Sequence, residues 1–127
     1  MEGKTLALVV DDEKDVCFLL TSILTNKNLQ VNCVHSISEA RRSLIVDNPS
    51  IIFLDNHLPD GFGIDFIGEI KKIRPQIKIV MITAHDTKTD KEKAYLEGVD
   101  QFIGKPFTRE NIFNAIDDLI KLKNVEL

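Results

Sequence analysis

The chain alternates five times between a short apolar run and a longer amphipathic stretch, and this alternation limits the fold more than any other feature. The apolar runs predict five strands: Leu6 to Val10, Gln30 to Val34, Ile51 to Leu54, Lys78 to Thr83 and Gln101 to Gly104. Strands separated by a helix pair in parallel, because the helix returns the chain to the starting edge through a right-handed crossover. The sequence therefore predicts an α/β fold with a doubly wound, five-stranded parallel sheet, (βα)5.

Apolar side chains at helical spacing follow the first and the last strand. The first helix is predicted to bury one face: Val16, Leu19, Leu20, Ile23 and Leu24. The last helix repeats the pattern: Ile112, Phe113, Ile116, Leu119 and Ile120. Ser36 and Glu39 have capping-box spacing at the start of the second helix, and Thr108 is a candidate cap for the last one.

The third and fourth helices have weaker signals. The third, at about 64–73, contains Gly68, which costs about 1 kcal/mol relative to Ala in a helix interior. The fourth, at about 87–97, is mostly charged and offers only the apolar residues 94–96 for packing. We therefore expect the fourth helix to be the least firmly anchored.

Length and composition predict one domain. A chain of 127 residues suits a single core, which we expect at about 5–122 with a C-terminal tail at 123–127. The net charge of -4 gives no attraction to nucleic acid phosphates, and no run approaches the roughly 18 apolar residues of a membrane span. We expect a cytoplasmic protein without direct contact to nucleic acid or membrane, in which Cys17 and Cys33 are buried, reduced thiols.

Polar side chains stand where four of the five strands end. Asp11 and Asp12 follow the first strand, Asp55 follows the third, Thr83 ends the fourth and Lys105 follows the fifth. Taken singly, each has an ordinary explanation as a helix cap or a turn. In a doubly wound sheet, however, the binding crevice lies outside the carboxyl ends of the strands. The three acids, the hydroxyl and the ammonium are therefore expected to converge.

Three clustered carboxylates repel one another unless a cation is bound. A ligand set made only of oxygen suits Mg²⁺, whereas zinc would favour His and Cys. With the cation present, one carboxylate can attack phosphorus while Lys105 balances the charge of the phosphoryl oxygens. Asp55 is the predicted nucleophile because it stands alone on its loop, whereas Asp11 and Asp12 are adjacent and better placed to hold the cation.

Four sequence motifs resemble the receiver domains of bacterial two-component response regulators. They are Val9-Val10-Asp11-Asp12-Glu13, Leu54-Asp55 with Leu58-Pro59-Asp60-Gly61, Thr83-Ala84 and Lys105-Pro106-Phe107. The resemblance covers essentially the whole chain. It implies the flavodoxin-like strand order 2-1-3-4-5 and a signalling protein rather than an enzyme acting on other substrates. The implied partner is a sensor histidine kinase or a histidine phosphotransfer protein.

The resemblance also implies roles for single residues. Asp55 corresponds to the phosphoacceptor and Asp12 to a direct Mg²⁺ ligand, while Asp11 holds the ion through water. The backbone carbonyl of His57 completes the implied ligand set.

Thr83 and Lys105 correspond to the residues that grip the phosphoryl group. Phe102 corresponds to a switch aromatic that turns inward when Thr83 moves; its alternative is a plain core residue. The fourth helix, fifth strand and fifth helix form the implied output face, which controls a partner protein or an attached output domain.

Two histidines flank the predicted site. His57 lies two residues after Asp55, and His85 lies two residues after Thr83. We expect both to lie near the path of the water that hydrolyses the acyl phosphate, and so to set its lifetime with a pH dependence near 6 to 7. The alternative is that both are solvated flanks.

Two other functions fit part of the pattern. A phosphatase with an aspartyl nucleophile would also use Asp, Mg²⁺ and Lys, but usually has a second acid where this chain has His57. A receiver-like binding module without phosphorylation would not need every acid and Lys105. The oligomeric state, and whether the chain acts alone or within a larger regulator, stay open.

Overall fold

The computed structural model describes residues 5–125, with side chains through Leu119. The described residues form seven strands: β1 (Leu6–Val10), β2 (Gln30–Val34), β3 (Ile51–Leu54), β4 (His57–Leu58), β5 (Gly61–Phe62), β6 (Lys78–Thr83) and β7 (Gln101–Gly104). The same residues form five helices: α1 (Lys14–Thr25), α2 (Ile37–Val46), α3 (Gly63–Ile73), α4 (Lys88–Glu97) and α5 (Arg109–Val125). The main sheet is parallel throughout, in the order β2-β1-β3-β6-β7. This is the order 2-1-3-4-5 among its five strands, so the predicted α/β class and strand order are confirmed.

A separate apolar core covers each face of the sheet. One face packs against α1 and α5, and the other against α2, α3 and α4. The central strand β3 is buried at every position, which explains why its sequence is an unbroken apolar run. The two cores hold the sheet between them and leave its carboxyl edge open to the loops.

The buried face of α1 differs from the predicted one. Cys17, Leu20, Ile23 and Leu24 are buried, whereas Leu19 is 47% exposed and Val16 is half-buried. The prediction that Leu19 faces the core was therefore wrong. Five apolar residues in that pattern cover a wider arc than the sheet can bury, and Cys17 occupies the edge of the arc that faces β2.

Both predicted caps are present. The Ser36 hydroxyl accepts the backbone N–H of Glu39 at 3.1 Å, and the Glu39 carboxylate accepts the N–H of His35 at 2.7 Å. The Thr108 hydroxyl accepts the N–H of Asn111 at 3.0 Å at the start of α5. These bonds satisfy N–H groups that the first turn of a helix otherwise leaves unpaired.

Helix α4 is the least anchored helix, as predicted. Ala94 is its one buried side chain, while Tyr95 and Leu96 are 47% and 86% exposed. It begins after a cap in which the Thr87 hydroxyl accepts the N–H of Asp90 at 3.1 Å. Little apolar area therefore opposes its displacement.

Helix α5 buries Ile112, Ile116 and Leu119, with Phe113 half-buried. The fifth residue of the predicted face, Ile120, lies outside the described side chains. The helix continues to Val125, three residues beyond the expected end of the core at 122. The expected tail residues 126 and 127 lie outside the described residues.

A short hairpin follows β3, where no further strand was predicted. The two-residue strands β4 and β5 pair in antiparallel fashion. Asp60, in the turn between them, accepts the N–H groups of Ile37 at 2.8 Å and Ser38 at 3.0 Å from the first turn of α2. These bonds lower the pKa of the Asp60 carboxyl and attach the hairpin to α2. Strands of two residues are too short to show an alternating pattern of apolar and polar side chains, which is why they were not predicted.

Across residues 5–125, the helices are too short or too polar to cross a bilayer.

Two glycines of α3 offer a matched test of the fold. A Cβ added at Gly63 would lie 2.3 Å from the backbone oxygen of Asp55, whereas one added at Gly68 meets no heavy atom within 4 Å among the described residues. Gly63→Ala is expected to destabilise the fold by about 3 kcal/mol because backbone must move. Gly68→Ala is expected to stabilise it by about 1 kcal/mol through helix propensity. Urea denaturation of both variants checks this, and equal effects of the two substitutions would contradict the described packing.

Candidate functional site

The carboxyl ends of four strands bring the predicted polar residues to one edge of the sheet. Val10 pairs with Leu54, so the loops after β1 and β3 begin side by side. Thr83 pairs with Gly104, so the ends of β6 and β7 are likewise level. The structure therefore places Asp11, Asp12, Asp55, Thr83 and Lys105 on the loops and strand ends of a single edge.

Three carboxylates form the centre of this edge. Asp11, Asp12 and Asp55 each offer an oxygen, and these three oxygens lie within 4.8 Å of one another. Asp11 and Asp55 are 2% and 5% exposed, whereas Asp12 is exposed. An oxygen-only set that is open on one side fits Mg²⁺, which keeps several waters and takes further oxygens from a phosphate.

Lys105 neutralises part of the cluster. Its Nζ lies 2.9 Å from Asp11 Oδ2, 2.9 Å from Glu13 Oε1 and 3.6 Å from Asp55 Oδ1. Burial alone would lower the pKa of Lys105, but hydrogen bonds to Glu13 and Asp11 and the charge of Asp55 outweigh it and raise this pKa to about 12. The ammonium is therefore charged at neutral pH. The contact with Glu13 was not predicted; the only sequence signal was its place as the third acid in the run after β1.

The environment of Asp55 disfavours its charge. Burial, followed by the negative charge of Asp11, raises the pKa of Asp55 to about 6. Lys105 and the backbone N–H groups of Asn56 and His57 oppose this rise, and the Asn56 N–H lies 2.9 Å from Asp55 Oδ1. Asp55 is therefore anionic at neutral pH, but burial and the charge of Asp11 make the anionic form unfavourable. A bound cation would stabilise this form.

The loop that carries Asp55 is anchored at both ends. The Asp55 N–H donates to the carbonyl of Val10 at 2.9 Å. The next residue, Asn56, accepts the N–H of Ile64 on its side-chain oxygen at 2.9 Å and the N–H of Gly63 on its carbonyl at 2.8 Å. Asn56 thereby joins the loop that carries Asp55 to the first turn of α3. This role was not predicted from the sequence, although Asn is a common turn residue.

Thr83 ends β6 and Phe102 lies in β7, and neither residue belongs to the carboxylate cluster. Thr83 is 1% exposed, and its hydroxyl accepts the N–H of His85 at 3.2 Å. Phe102 is half-buried and packs against the apolar core beneath α3 and α4, with Lys91 Nζ 5.9 Å from its ring centroid. Phe102 is thus outside the acid cluster and in contact with the least anchored helix.

The two flanking histidines contact each other. The rings of His57 and His85 lie 4.0 Å apart between centroids and are tilted by 32°. Phe62 meets His57 edge-on at 5.4 Å. Both imidazoles are exposed, so the pair forms part of the rim of the site. The sequence predicted their proximity to the site but not their stacking, since they come from different loops.

Comparison with known proteins agrees with this geometry. The family model of the response regulator receiver domain matches residues 7–117. The response regulator protein PilR of Pseudomonas aeruginosa is 31% identical over 120 residues, covering 94% of this chain and 27% of PilR. The chain spans about a quarter of the length of the curated relatives it matches.

Two solved structures show the same fold. A CheY-like receiver domain protein from Methanospirillum hungatei gives a TM-score of 0.91 at 21% identity, covering 98% of this chain and 100% of that chain. A response regulator from Burkholderia pseudomallei, solved with a phosphorylated aspartic acid, a calcium ion and citrate, gives 0.82 at 22% identity over 96% of this chain and 74% of that chain. Since the family model covers most of a chain that has this strand order, the protein belongs to the response regulator receiver domain family of two-component signalling.

Proposed function

We propose that this protein is a phosphorylation switch in which Asp55 accepts a phosphoryl group from a sensor histidine kinase or a histidine phosphotransfer protein. The observation that carries the proposal is the setting of Asp55. Its carboxylate is buried, lies 3.6 Å from the Lys105 ammonium and shares an oxygen cluster with Asp11 and Asp12. The response regulator from Burkholderia pseudomallei, which has the same fold, carries a phosphorylated aspartic acid and a divalent cation.

The proposed Mg²⁺ site consists of Asp11, Asp12, Asp55 and the backbone carbonyl of His57. Asp11, Asp12 and Asp55 fit Mg²⁺ because their carboxylate oxygens converge and none of the three residues offers a nitrogen or sulfur ligand. When bound, the cation offsets carboxylate repulsion and charge on the phosphoryl oxygens. In the same proposal Asp11 acts through water and Asp12 directly, which agrees with the burial of Asp11 and the exposure of Asp12.

In the transfer step, the Asp55 carboxylate attacks phosphorus while the bond from phosphorus to the donor imidazole breaks. Asp55 is ionised for this attack because the solution pH lies above its pKa of about 6. Lys105 would turn its ammonium from Glu13 towards a phosphoryl oxygen, and the Thr83 hydroxyl would donate to another. Hydrolysis of the acyl phosphate by water then ends the signal. Both reactions take place on Asp55 of this protein and not on a separate substrate.

The proposed output face consists of α4, β7 and α5. Because α4 buries only Ala94 and touches Phe102 through Lys91, movement of Thr83 and Phe102 can shift it at small cost. The recipient would be a partner protein or an attached output domain, as the greater length of the relatives suggests. With a net charge of -4, the chain itself is not proposed to bind nucleic acid. The proposal places it in the cytoplasm, with the kinase.

A phosphatase acting on other substrates is the second candidate. The position where such enzymes carry their second acid holds His57, whose ring contacts His85, so this position offers no carboxylate. His57 therefore argues against a phosphatase.

Phosphotransfer is tested with a small phosphodonor. Incubation with acetyl phosphate and Mg²⁺ is expected to add one phosphoryl group to the wild type, detected by intact-mass measurement. Asp55→Asn should gain none, and chelation of Mg²⁺ should abolish the gain in the wild type. Asp47→Asn, which changes an exposed carboxylate at the end of α2, is the matched control and should behave as wild type. An equal gain in Asp55→Asn would refute the proposal.

The raised pKa of Asp55 predicts a pH-dependent cost to stability. Between pH 3.8 and about 6, the unfolded chain ionises Asp55 while the folded protein keeps it protonated, so stability falls as pH rises through this window. Asp55→Asn removes the cost and is expected to stabilise the metal-free protein by about 3 kcal/mol above pH 6. The difference should disappear below pH 4.

Urea denaturation in the presence of a chelator measures this effect across the pH range. Asp12→Asn is the control, because the same charge is removed from an exposed carboxylate and the gain should be smaller. Mg²⁺ should then stabilise the wild type but not Asp55→Asn. A wild type that is more stable than Asp55→Asn at pH 7 without metal would contradict the electrostatic description.

The histidine pair is proposed to set the lifetime of the acyl phosphate by limiting the access of water. His57→Asn and His85→Asn are each expected to shorten this lifetime roughly threefold, or about 0.7 kcal/mol in the barrier. Because the rings act as one stacked unit, the double variant should be little worse than either single one. Loss of phosphoryl mass over time measures it; unchanged lifetimes in both single variants would exclude the role.

A further inference from the structure

The two cysteines, distant in sequence, lie against each other between α1 and β2. The Cys33 thiol donates to the backbone carbonyl of Cys17 at 3.7 Å, so the Cys33 sulfur lies against the residue that carries the other thiol. The Thr21 hydroxyl lies 3.4 Å from Cys33 Sγ. Both cysteines are free. The sequence predicted two buried, reduced thiols. Cys33 is instead half-buried, and its sulfur contacts the backbone of Cys17.

This pair lies directly behind the acid cluster. The Cys17 thiol donates to the backbone carbonyl of Asp11 at 3.6 Å, and His35 Nδ1 lies 3.0 Å from the same oxygen. Cys33 stands next to Val9 in the register of β1 and β2, two residues before Asp11. A covalent change at the pair therefore acts on the segment that carries Asp11.

The two thiols differ in access and in reactivity. Cys17 is 6% exposed, whereas Cys33 is half-buried at the edge strand and can be reached by a small oxidant. Hydrogen bonding to Cys17 and Thr21, against the effect of burial, lowers the pKa of Cys33 from its ordinary value. Oxidants react with accessible thiols, so the more exposed Cys33 is the first site of reaction.

We propose that Cys17 and Cys33 form an oxidisable dithiol that closes to a disulfide in the presence of a hydroperoxide. The Cys33 sulfur attacks one peroxide oxygen, the O–O bond breaks, and the departing oxide takes a proton. Cys17 sulfur then attacks the Cys33 sulfenic acid; the S–S bond forms, the S–O bond breaks, and hydroxide leaves as water with the Cys17 proton. Two thiols lose two electrons in all, and the peroxide gains them.

Closure has a consequence for the site. The disulfide removes the Cys17 S–H donor from the Asp11 carbonyl and ties α1 to β2 beside the acid cluster. We expect phosphorylation by acetyl phosphate to slow about fivefold, as for the loss of one ordinary hydrogen bond. This consequence rests on the proposed function, whereas disulfide formation does not. Disulfides in reducing compartments are commonly transient and regulatory, which suits a reversible effect.

The first experiment uses the wild-type protein. It is treated with hydrogen peroxide, its remaining thiols are alkylated, and its mass and linked peptides are measured. The expected result is loss of two hydrogens, no alkylation and a peptide pair joined through Cys17 and Cys33. Two thiols that stay fully alkylated, or disulfides only between molecules, would overturn the proposal.

Variants that lack one cysteine each show which of the two thiols is oxidised first. With dimedone present, Cys17→Ala should accumulate a trapped sulfenic acid on Cys33, whereas Cys33→Ala should resist oxidation. Faster oxidation of Cys17 in Cys33→Ala than of Cys33 in Cys17→Ala would refute the assigned order.

The second experiment compares the phosphorylation rates of oxidised, reduced and re-reduced wild type. A fivefold loss restored by dithiothreitol is expected. Disulfide formation with an unchanged rate would refute the coupling to Asp11, while failure of all three samples to take up phosphate would instead contradict the proposed function.

Discussion

Two buried carboxylates, Asp11 and Asp55, share one ammonium, that of Lys105, and the rest of the structure serves to keep these three groups together. Burying a charge without a partner is costly, and here two negative charges meet one positive charge at the buried centre. Exposed Asp12 adds a third carboxylate within 4.8 Å. The parallel sheet holds this unfavourable arrangement because its central strands are packed on both faces. In the proposed function, a bound cation would relieve the repulsion between these carboxylates.

The residues around Asp55 connect this centre to the helices α2, α3 and α4. Asn56 joins the nucleophile loop to α3, and the hairpin after it is fixed to α2 by the two bonds of Asp60. On the other side, Thr83 leads through the sheet to Phe102 and the weakly packed α4. The loop that carries Asp55 is therefore firmly anchored, whereas α4 is weakly anchored. Under the proposed function, a small displacement at the centre would shift α4 more readily than the loop that carries Asp55.

The sequence predicted the strands and the polar groups at their ends because both depend on short apolar runs, which are local signals. It also predicted that these polar groups converge, but it did not predict other contacts between segments that are distant in the chain. Leu19 fits the helical pattern of α1, but the sheet is not wide enough to bury it, and Cys17 takes the edge position instead. The contacts of Glu13 with Lys105 and of Cys17 with Cys33 come from loops and strands that only the tertiary fold brings together. The hairpin beside Asp60 was missed because its strands are too short to form a pattern.

Asp55, and no other carboxylate of the cluster, is proposed to form the acyl phosphate. Reduction of the phosphorylated protein with borohydride, which converts an aspartyl phosphate to homoserine, followed by peptide sequencing, identifies the modified residue. Homoserine is expected at position 55, with unchanged aspartates at positions 11 and 12. Homoserine at position 11 or 12, or phosphate retained on His57 or His85, would contradict this proposal.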